Sequence, residues 1–115
     1  MNILEEVKSL LDITGIPIET GVFDGDAPER YIVLIPMDDE FPLCADDFPQ
    51  TDLQTLRITL FTKKNYLRDK NTIVEILLMH GFAVTNRKFN GYDSSTGYYQ
   101  NTIDVEKNYE MEEMK

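Results

Sequence analysis

The stretch Leu53–Phe82, LQTLRITLFTKKNYLRDKNTIVEILLMHGF, decides the fold, because it passes from an alternating strand into a helix with almost no connecting loop. Leu56, Ile58 and Leu60 lie on one face of the predicted strand, and the other face is polar except for Phe61. This alternation is typical of a strand that is buried on one side. A strand and a helix joined this closely are expected to pack against each other.

The helix in this stretch has recognisable ends. Asn65 is a suitable N-cap, Gly81 can adopt the left-handed conformation that ends a helix, and Phe82 can pack back on Leu77 in a Schellman motif. Spacings of three and four define an apolar face, which is predicted to contain Ile73, Ile76, Leu77 and His80. The position of His80 on this face, near the end of the helix, indicates a structural role.

The rest of the chain extends this unit in both directions. An amphipathic helix is predicted for Asn2–Thr14, and Asn90–Gly91 is a strong turn signal between two late strands. Four further extended segments are predicted, namely Ile16–Phe23, Arg30–Ile35, Ala83–Phe89 and Tyr98–Tyr109. The predicted fold class is α+β, with an antiparallel or mixed sheet of about four to five strands. Two helices pack on this sheet in the order α-β-β-β-α-β-β, and neighbouring strands pair where the turn is short.

The length and composition point to one domain. The 115 residues suffice for one hydrophobic core, so residues 1–115 are expected to form a single unit. The sequence has no apolar run of about eighteen residues that could span a membrane, and Met1–Leu11 lacks the features of a signal peptide. A cytoplasmic protein is therefore expected. Cys44, the single cysteine, excludes an internal disulfide and is expected to serve as a small hydrophobic residue.

The net charge of -10 is unevenly distributed along the chain. Residues 1–53 contain 13 acidic and 2 basic residues, whereas residues 54–115 contain 8 acidic and 9 basic residues. Because contacts with nucleic-acid phosphates need clustered cations, direct sequence-specific binding of nucleic acid is not expected. The one cationic cluster comprises Lys63, Lys64, Arg68 and Lys70.

A long acidic connection, residues 37–52, shows no period of either kind and is expected to be flexible unless a partner orders it. Its carboxylates have no metal-ligand spacing, so a metal site is not expected. A solvated helix surface is the favoured interpretation of these cations, and the alternative is a head-to-tail contact between copies, which opposite charges on one chain suit. The possible interface residues are Lys63, Lys64, Arg68, Lys70, Asp38, Asp39, Asp46 and Asp47. Residues 110–115 are expected to form a frayed tail.

The sequence gives little support for catalysis. His80 is the only histidine, and the chain has no nucleophile motif, no glycine-rich phosphate loop and no pair of metal-ligand histidines. An enzyme is therefore not expected, and neither a cofactor nor a metal ion is expected. By elimination, the chain is predicted to be a binding, assembly or inhibitory protein.

Three segments carry a resemblance to a known family. The strand Gln54–Lys63, the helix end Gly81–Phe82 and the segment Tyr92–Tyr99 resemble the small tail-completion or tail-terminator proteins of long-tailed bacteriophages and prophages. The resemblance covers about half of the chain. Members of this family often have a histidine at the position of Gln100, and the N-terminal half of the chain has no motif that matches.

The resemblance implies an α+β subunit that assembles as a ring, often hexameric, at the head-proximal end of the tail. It implies a non-enzymatic virion protein, either a tail terminator or completion protein or a neck component for head-tail joining. Its partners would be further copies of itself and other phage tail or neck proteins. Such a protein is made in the bacterial cytoplasm and ends in the virion. An acidic lumen would let DNA pass, because like charges repel phosphates.

A second hypothesis is a small acidic phage-encoded inhibitor that mimics DNA and binds a host nucleic-acid-binding protein. The net charge of -10 fits this class as well. A mimic should carry its acids on one ordered exposed face and bind with steep salt dependence. Most acids of this chain cluster instead in predicted turns and loops around Asp24 and Asp38, which favours the assembly protein.

Overall fold

A computed structural model describes residues 2–20, 28–37 and 51–110. Two helices and five strands follow one another in the predicted order, which confirms the α+β class. The elements are α1 Ile3–Leu11, β1 Ile18–Thr20, β2 Arg30–Pro36, β3 Thr51–Thr62, α2 Tyr66–Met79, β4 Ala83–Asp93 and β5 Tyr98–Glu110. Among these described residues, neither helix is long and apolar enough to cross a membrane.

The five strands form one mixed sheet in the order β1-β2-β3-β5-β4. The β1–β2 pair is parallel, and the other three pairs are antiparallel. Strands that follow each other in sequence are neighbours except β3 and β4, because α2 carries the chain across and β5 occupies the place between them. The central strand β3 is consequently paired with β2 on one side and with β5 along its whole length on the other.

Both helices pack on one face of the sheet, called here the helix face. The predicted buried face of β3 is confirmed, because Leu56, Ile58 and Leu60 are fully buried there. The side chains that share this core come from every layer of the fold, and they include Val7, Leu11, Ile32, Leu34, Ile73, Leu77, Ile103 and Val105. The opposite face of the sheet, called the open face, carries no helix among the described residues.

The predicted ends of α2 are confirmed. The Asn65 side chain accepts a hydrogen bond from the Arg68 N–H at 3.1 Å, as an N-cap does. Gly81 has a φ of 84°, and the Phe82 N–H donates to the Leu77 carbonyl at 3.1 Å. The Gly81 N–H donates to the carbonyl two residues before the C-cap, which completes the Schellman motif.

The assignment of His80 to the apolar face of α2 is wrong. The buried positions of this helix are Ile73, Val74 and Leu77, whereas His80 is exposed at the C-cap. Its Nδ1 lies 2.9 Å from the Ile76 carbonyl oxygen. The helix ends at Met79 and the chain turns toward Gly81, so the His80 side chain does not reach the core.

The first helix is shorter than predicted. Its N-cap is Asn2, whose side chain accepts from the Glu5 N–H at 2.9 Å. The α-helix ends at Leu11 and one turn of 3₁₀-helix, Asp12–Thr14, continues to Gly15. The acidic connection is also shorter than 37–52, because the pairing of β3 with β5 begins at Thr51.

The prediction of a turn at Asn90–Gly91 is wrong. Strand β4 continues through both residues, and the register against β5 shifts between Phe89 and Gly91. This shift is a β-bulge, which takes up one extra residue, and Gly91 has a φ of 124° that suits glycine. The hairpin turns instead after Asp93, whose carbonyl accepts from the Gly97 N–H at 2.7 Å.

Candidate functional site

Several functional candidates meet at one end of the sheet, called here the hairpin end. Thr62, the last residue of β3, pairs with Arg30 on one side and with Tyr99 on the other. The same end contains the start of α2 and the turn between β4 and β5. Side chains from both halves of the sequence therefore lie close together there.

The cations predicted as an interface do not form one compact cluster. Lys63 extends over the ring of Tyr98 on the open face, with its Nζ 5.0 Å from the ring centroid. Lys64 and Arg68 line a cleft beside α2. Lys70, two residues after Arg68 on the same helix, is half-buried. The four predicted acidic partners lie outside the described residues, and they are Asp38, Asp39, Asp46 and Asp47.

A polar cleft of about 310 Å³ separates the start of β2 from the start of α2. Arg30 Nη1 lies 3.0 Å from Asp69 Oδ1, and Lys64 Nζ lies 3.4 Å from Glu29 Oε2. The residues that line it are Glu29, Arg30, Thr62, Lys64, Asn65, Arg68 and Asp69. Both acids that line the cleft form ion pairs, and these pairs join the start of β2 to the start of α2. Among the lining residues, Arg68 is the one cation without an ion pair.

A cluster of four aromatic rings lies on the helix face at the hairpin end. The ring of Tyr66 stacks on Phe89 with centroids 5.0 Å apart and contacts Tyr99 at 5.1 Å. The ring centroids of Tyr92 and Tyr99 are 4.7 Å apart. Phe89 and Tyr92 are 47% and 55% exposed, so half of this aromatic cluster faces solvent.

Sequence reasoning missed the aromatic cluster because its geometry depends on the bulge. Phe89 and Tyr92 are three residues apart, so in a regular strand they would point to opposite faces. The bulge restores the alternation, since Phe89 pairs with Asn101 and Tyr92 pairs with Tyr99, which share the helix face. The only sequence signal was the density of aromatic residues around Gly91.

The open face carries a second aromatic group at the hairpin end. Tyr31 and Phe61 stack with centroids 4.7 Å apart, and Tyr98 meets Tyr31 edge-on at 5.4 Å. The Tyr98 hydroxyl donates to the Pro28 carbonyl. This packing explains why Phe61 interrupts the polar face of β3, and the partial burial raises the pKa of Tyr31.

Further from the hairpin end, a bidentate ion pair crosses the open face. Arg57 Nε lies 2.9 Å from Asp104 Oδ1, and Arg57 Nη2 lies 3.1 Å from the other carboxylate oxygen. These hydrogen bonds raise the pKa of Arg57. The ion pair joins β3 to β5. Because the charges of Arg57 and Asp104 are paired with each other, neither is free to bind a partner at the centre of the open face.

At the opposite end of the sheet, Glu6 links α1 to β5. Its two carboxylate oxygens accept hydrogen bonds at 2.8 Å from Lys107 Nζ and from the Tyr109 hydroxyl. Burial acts to raise the pKa of Glu6, but these hydrogen bonds and the Lys107 charge outweigh it and lower that pKa. Lys107 Nζ also donates to the His80 carbonyl, so this network holds α1, β5 and the end of α2 together.

No protein-family model and no curated protein matches the chain.

The residue types that bind metal ions are not grouped in the part of the chain that the structure describes. Within residues 2–20, 28–37 and 51–110, no group of three histidine, cysteine, aspartate or glutamate side chains is arranged to hold a metal ion. His80 is exposed, and its ring forms a hydrogen bond with its own helix. Cys44 lies outside the described residues.

Proposed function

We propose that this chain is a non-enzymatic phage or prophage virion assembly protein that associates with copies of itself, forming a ring at the head-tail junction. Tail terminator, tail-completion protein and neck component are the roles within this proposal. The sequence resemblance to tail-completion proteins supports it, and so do the places of the resembling segments. Gln54–Lys63 forms most of the central strand, Gly81–Phe82 closes α2, and Tyr92–Tyr99 surrounds the hairpin turn.

The distribution of charge is the observation that carries this proposal. The described residues contain 12 acidic and 10 basic side chains, whereas the remaining residues contain 9 acidic and 1 basic side chain. The described part of one copy is thus nearly neutral with exposed cations at the hairpin end, and the remaining residues are strongly acidic in composition. Opposite charges on different parts of one chain favour a heterologous contact between identical subunits, the kind that closes rings.

The same distribution weighs against a DNA mimic. Such an inhibitor presents free carboxylates on an ordered surface, as DNA presents phosphates. In the described part of the chain, four acidic side chains are already engaged in ion pairs within the fold, namely Glu6, Glu29, Asp69 and Asp104. The DNA mimic remains the second hypothesis, supported by the net charge of -10.

Light scattering on the purified chain, over a concentration series at low and at physiological salt, tests the proposal. We expect the mass to rise with concentration to a closed multiple of the 13.3 kDa subunit, and to rise less at the higher salt concentration because screening weakens charge attraction. A mass that stays at one subunit throughout, together with tight salt-sensitive binding to a basic nuclease, would favour the DNA mimic.

A variant pair localises the contact. Neutralising Asp38, Asp39, Asp46 and Asp47 to asparagine should reduce self-association strongly. A control with the same change in net charge neutralises acids that form no ion pair among the described residues, namely Glu5, Asp12, Glu19 and Glu75. Equal loss of association in both variants would mean that overall charge, and not this acidic segment, drives assembly.

A further inference from the structure

We propose that the aromatic cluster, together with Lys70 and Arg87 beside it, is the docking site for the acidic segment 38–50 of a second copy of the chain. This inference rests on the proposed function, since it names the surface and the segment through which the copies meet. It assigns a role to Phe89 and Tyr92, two aromatic residues that folding alone does not require to be exposed.

The surface has the composition of a protein-binding patch. Phe89 and Tyr92 expose about half of their side chains on one face, and both contact rings that are partly buried beneath them. Exposed aromatic groups of this kind, resting on a rigid strand pair, are typical of residues that dominate binding energy at interfaces. The strand pair holds the rings in place before any partner arrives, which lowers the entropy cost of binding.

Two cations flank the rings. Arg87 pairs with Ile103 across the strands, so it shares the helix face with Phe89. Lys70 lies one helical turn after Tyr66, on the same side of α2. Neither cation forms an ion pair with any described residue. The surface therefore offers apolar rings and two unpaired positive charges to its partner.

The acidic segment has the complementary composition. Residues 38–50 contain five carboxylates and no cation, and they also contain two phenylalanines, Phe41 and Phe48. Carboxylates can approach the two cations while phenylalanine rings pack on the exposed aromatic rings. Outside residues 31–56, no stretch of thirteen residues combines five acids and two aromatic residues without a cation.

The segment of the same copy is too short to reach Tyr92. Its anchors are Met37, whose N–H donates to the Thr55 carbonyl, and Thr51, and both lie toward the end of the sheet away from Tyr92. A path from Met37 to the level of Tyr92 and back to Thr51 covers roughly 60 Å in the plane of the sheet. The fourteen steps between the anchors extend to at most about 50 Å. A segment that contacts Tyr92 must therefore come from another copy.

A labelled peptide of residues 37–51, titrated into the full-length protein, tests this docking site by fluorescence polarisation. We expect saturable binding that Arg87→Glu weakens about fivefold or more, because the substitution turns an attraction into a repulsion. Lys88→Glu is the matched control, since Lys88 is the next residue on the same strand but pairs with Thr102 and points to the open face. Its affinity should stay within about twofold of the parent protein.

The rings are tested separately from the charges. A peptide with alanine in place of Phe41 and Phe48 keeps every carboxylate, and we expect it to bind about tenfold more weakly because it loses two aromatic contacts. Equal binding of both peptides, or equal weakening by Arg87→Glu and Lys88→Glu, would overturn the docking site and leave only a diffuse attraction between opposite charges.

Mixing two full-length variants separates this inference from the proposed function. One variant carries Arg87→Glu and Phe89→Ala, and the other carries asparagine at the four aspartates of segment 38–50. Each alone should remain a single subunit, and the mixture should form a pair, because one intact site and one intact segment remain. If the parent chain forms rings but the variants do so as well, the docking site is wrong while self-assembly stands. If the peptide binds as expected but the parent chain never exceeds a pair, the ring is wrong while the docking site stands.

Discussion

At the scale of single residues, Glu6 offers the clearest link between an atom and the stability of the fold. Its carboxylate joins α1 to β5 through two hydrogen bonds. We expect Glu6→Gln to lower the free energy of unfolding by about 1–2 kcal/mol at pH 7, because it weakens a charge-assisted bond and removes one acceptor oxygen. Urea denaturation at several pH values measures this loss.

The pH dependence follows from the lowered pKa of Glu6. Since the folded-state pKa lies below the ordinary value of 4.5, the ionised carboxylate stabilises the fold above that value, and this stabilisation is lost as the pH falls through the folded-state pKa. The difference between Glu6→Gln and the parent should therefore shrink in acid. Glu5→Gln is the control, because Glu5 is exposed one position away and its carboxylate forms no ion pair among the described residues. A loss of equal size in both variants would contradict the role of the network.

Asn101 is a polar residue in an apolar place. It is fully buried between Leu60 and Phe89 in the sheet, and neither atom of its side-chain amide has a hydrogen-bond partner among the described residues. We expect Asn101→Leu to raise the free energy of unfolding by about 1–2 kcal/mol, because an unpaired buried amide costs free energy that an apolar side chain does not. Thermal and urea unfolding test this, with the exposed Asn108→Leu as a control that should change stability little. A destabilised Asn101→Leu protein would contradict the expectation.

At the scale of elements, α2 was predictable because its ends depend on local chemistry. The N-cap at Asn65 and the helix end at Gly81 depend only on residues close to them in sequence, and the structure confirms both. We expect Gly81→Ala to lose about 1–2 kcal/mol of stability, because a Cβ disfavours the left-handed conformation, and Gly81→Asn to lose less. Chemical denaturation of both variants measures the two losses. Indistinguishable losses would mean that the conformation at this residue is not what matters.

Strand β4 was harder to predict because its shape depends on its partner. The pair Asn90–Gly91 is typical of a hairpin turn in isolation, and local propensity cannot distinguish such a turn from a bulge. The register against β5 decides that this pair forms a bulge and not a turn. The same register brings Phe89 and Tyr92 to one face of the sheet. The core residues of β3 were predictable from alternation alone, whereas the aromatic cluster required the tertiary structure.

At the scale of the whole molecule, the elements and the charge asymmetry could be read from the sequence, but their arrangement could not. Hydrophobic alternation indicates that a strand is half-buried and does not say which strand lies next to it. The place of β5 between β3 and β4 is decided by long-range pairing. The same pairing places Tyr98 under Lys63 on the open face, whereas Lys64 and Arg68 line the cleft beside α2. Cations that are neighbours in sequence therefore do not all share one surface.

The sheet order has a consequence for how the protein is made. The strand that lies between β3 and β4 leaves the ribosome after the other four described strands. Until residues 98–110 emerge, the nascent chain presents two long strands, each lacking a neighbour that only β5 can supply. Unpaired edges of this kind attract other chains. A holdase chaperone that shields β3 and β4 until residues 98–110 have emerged would therefore raise the yield of folded protein more than one that acts later.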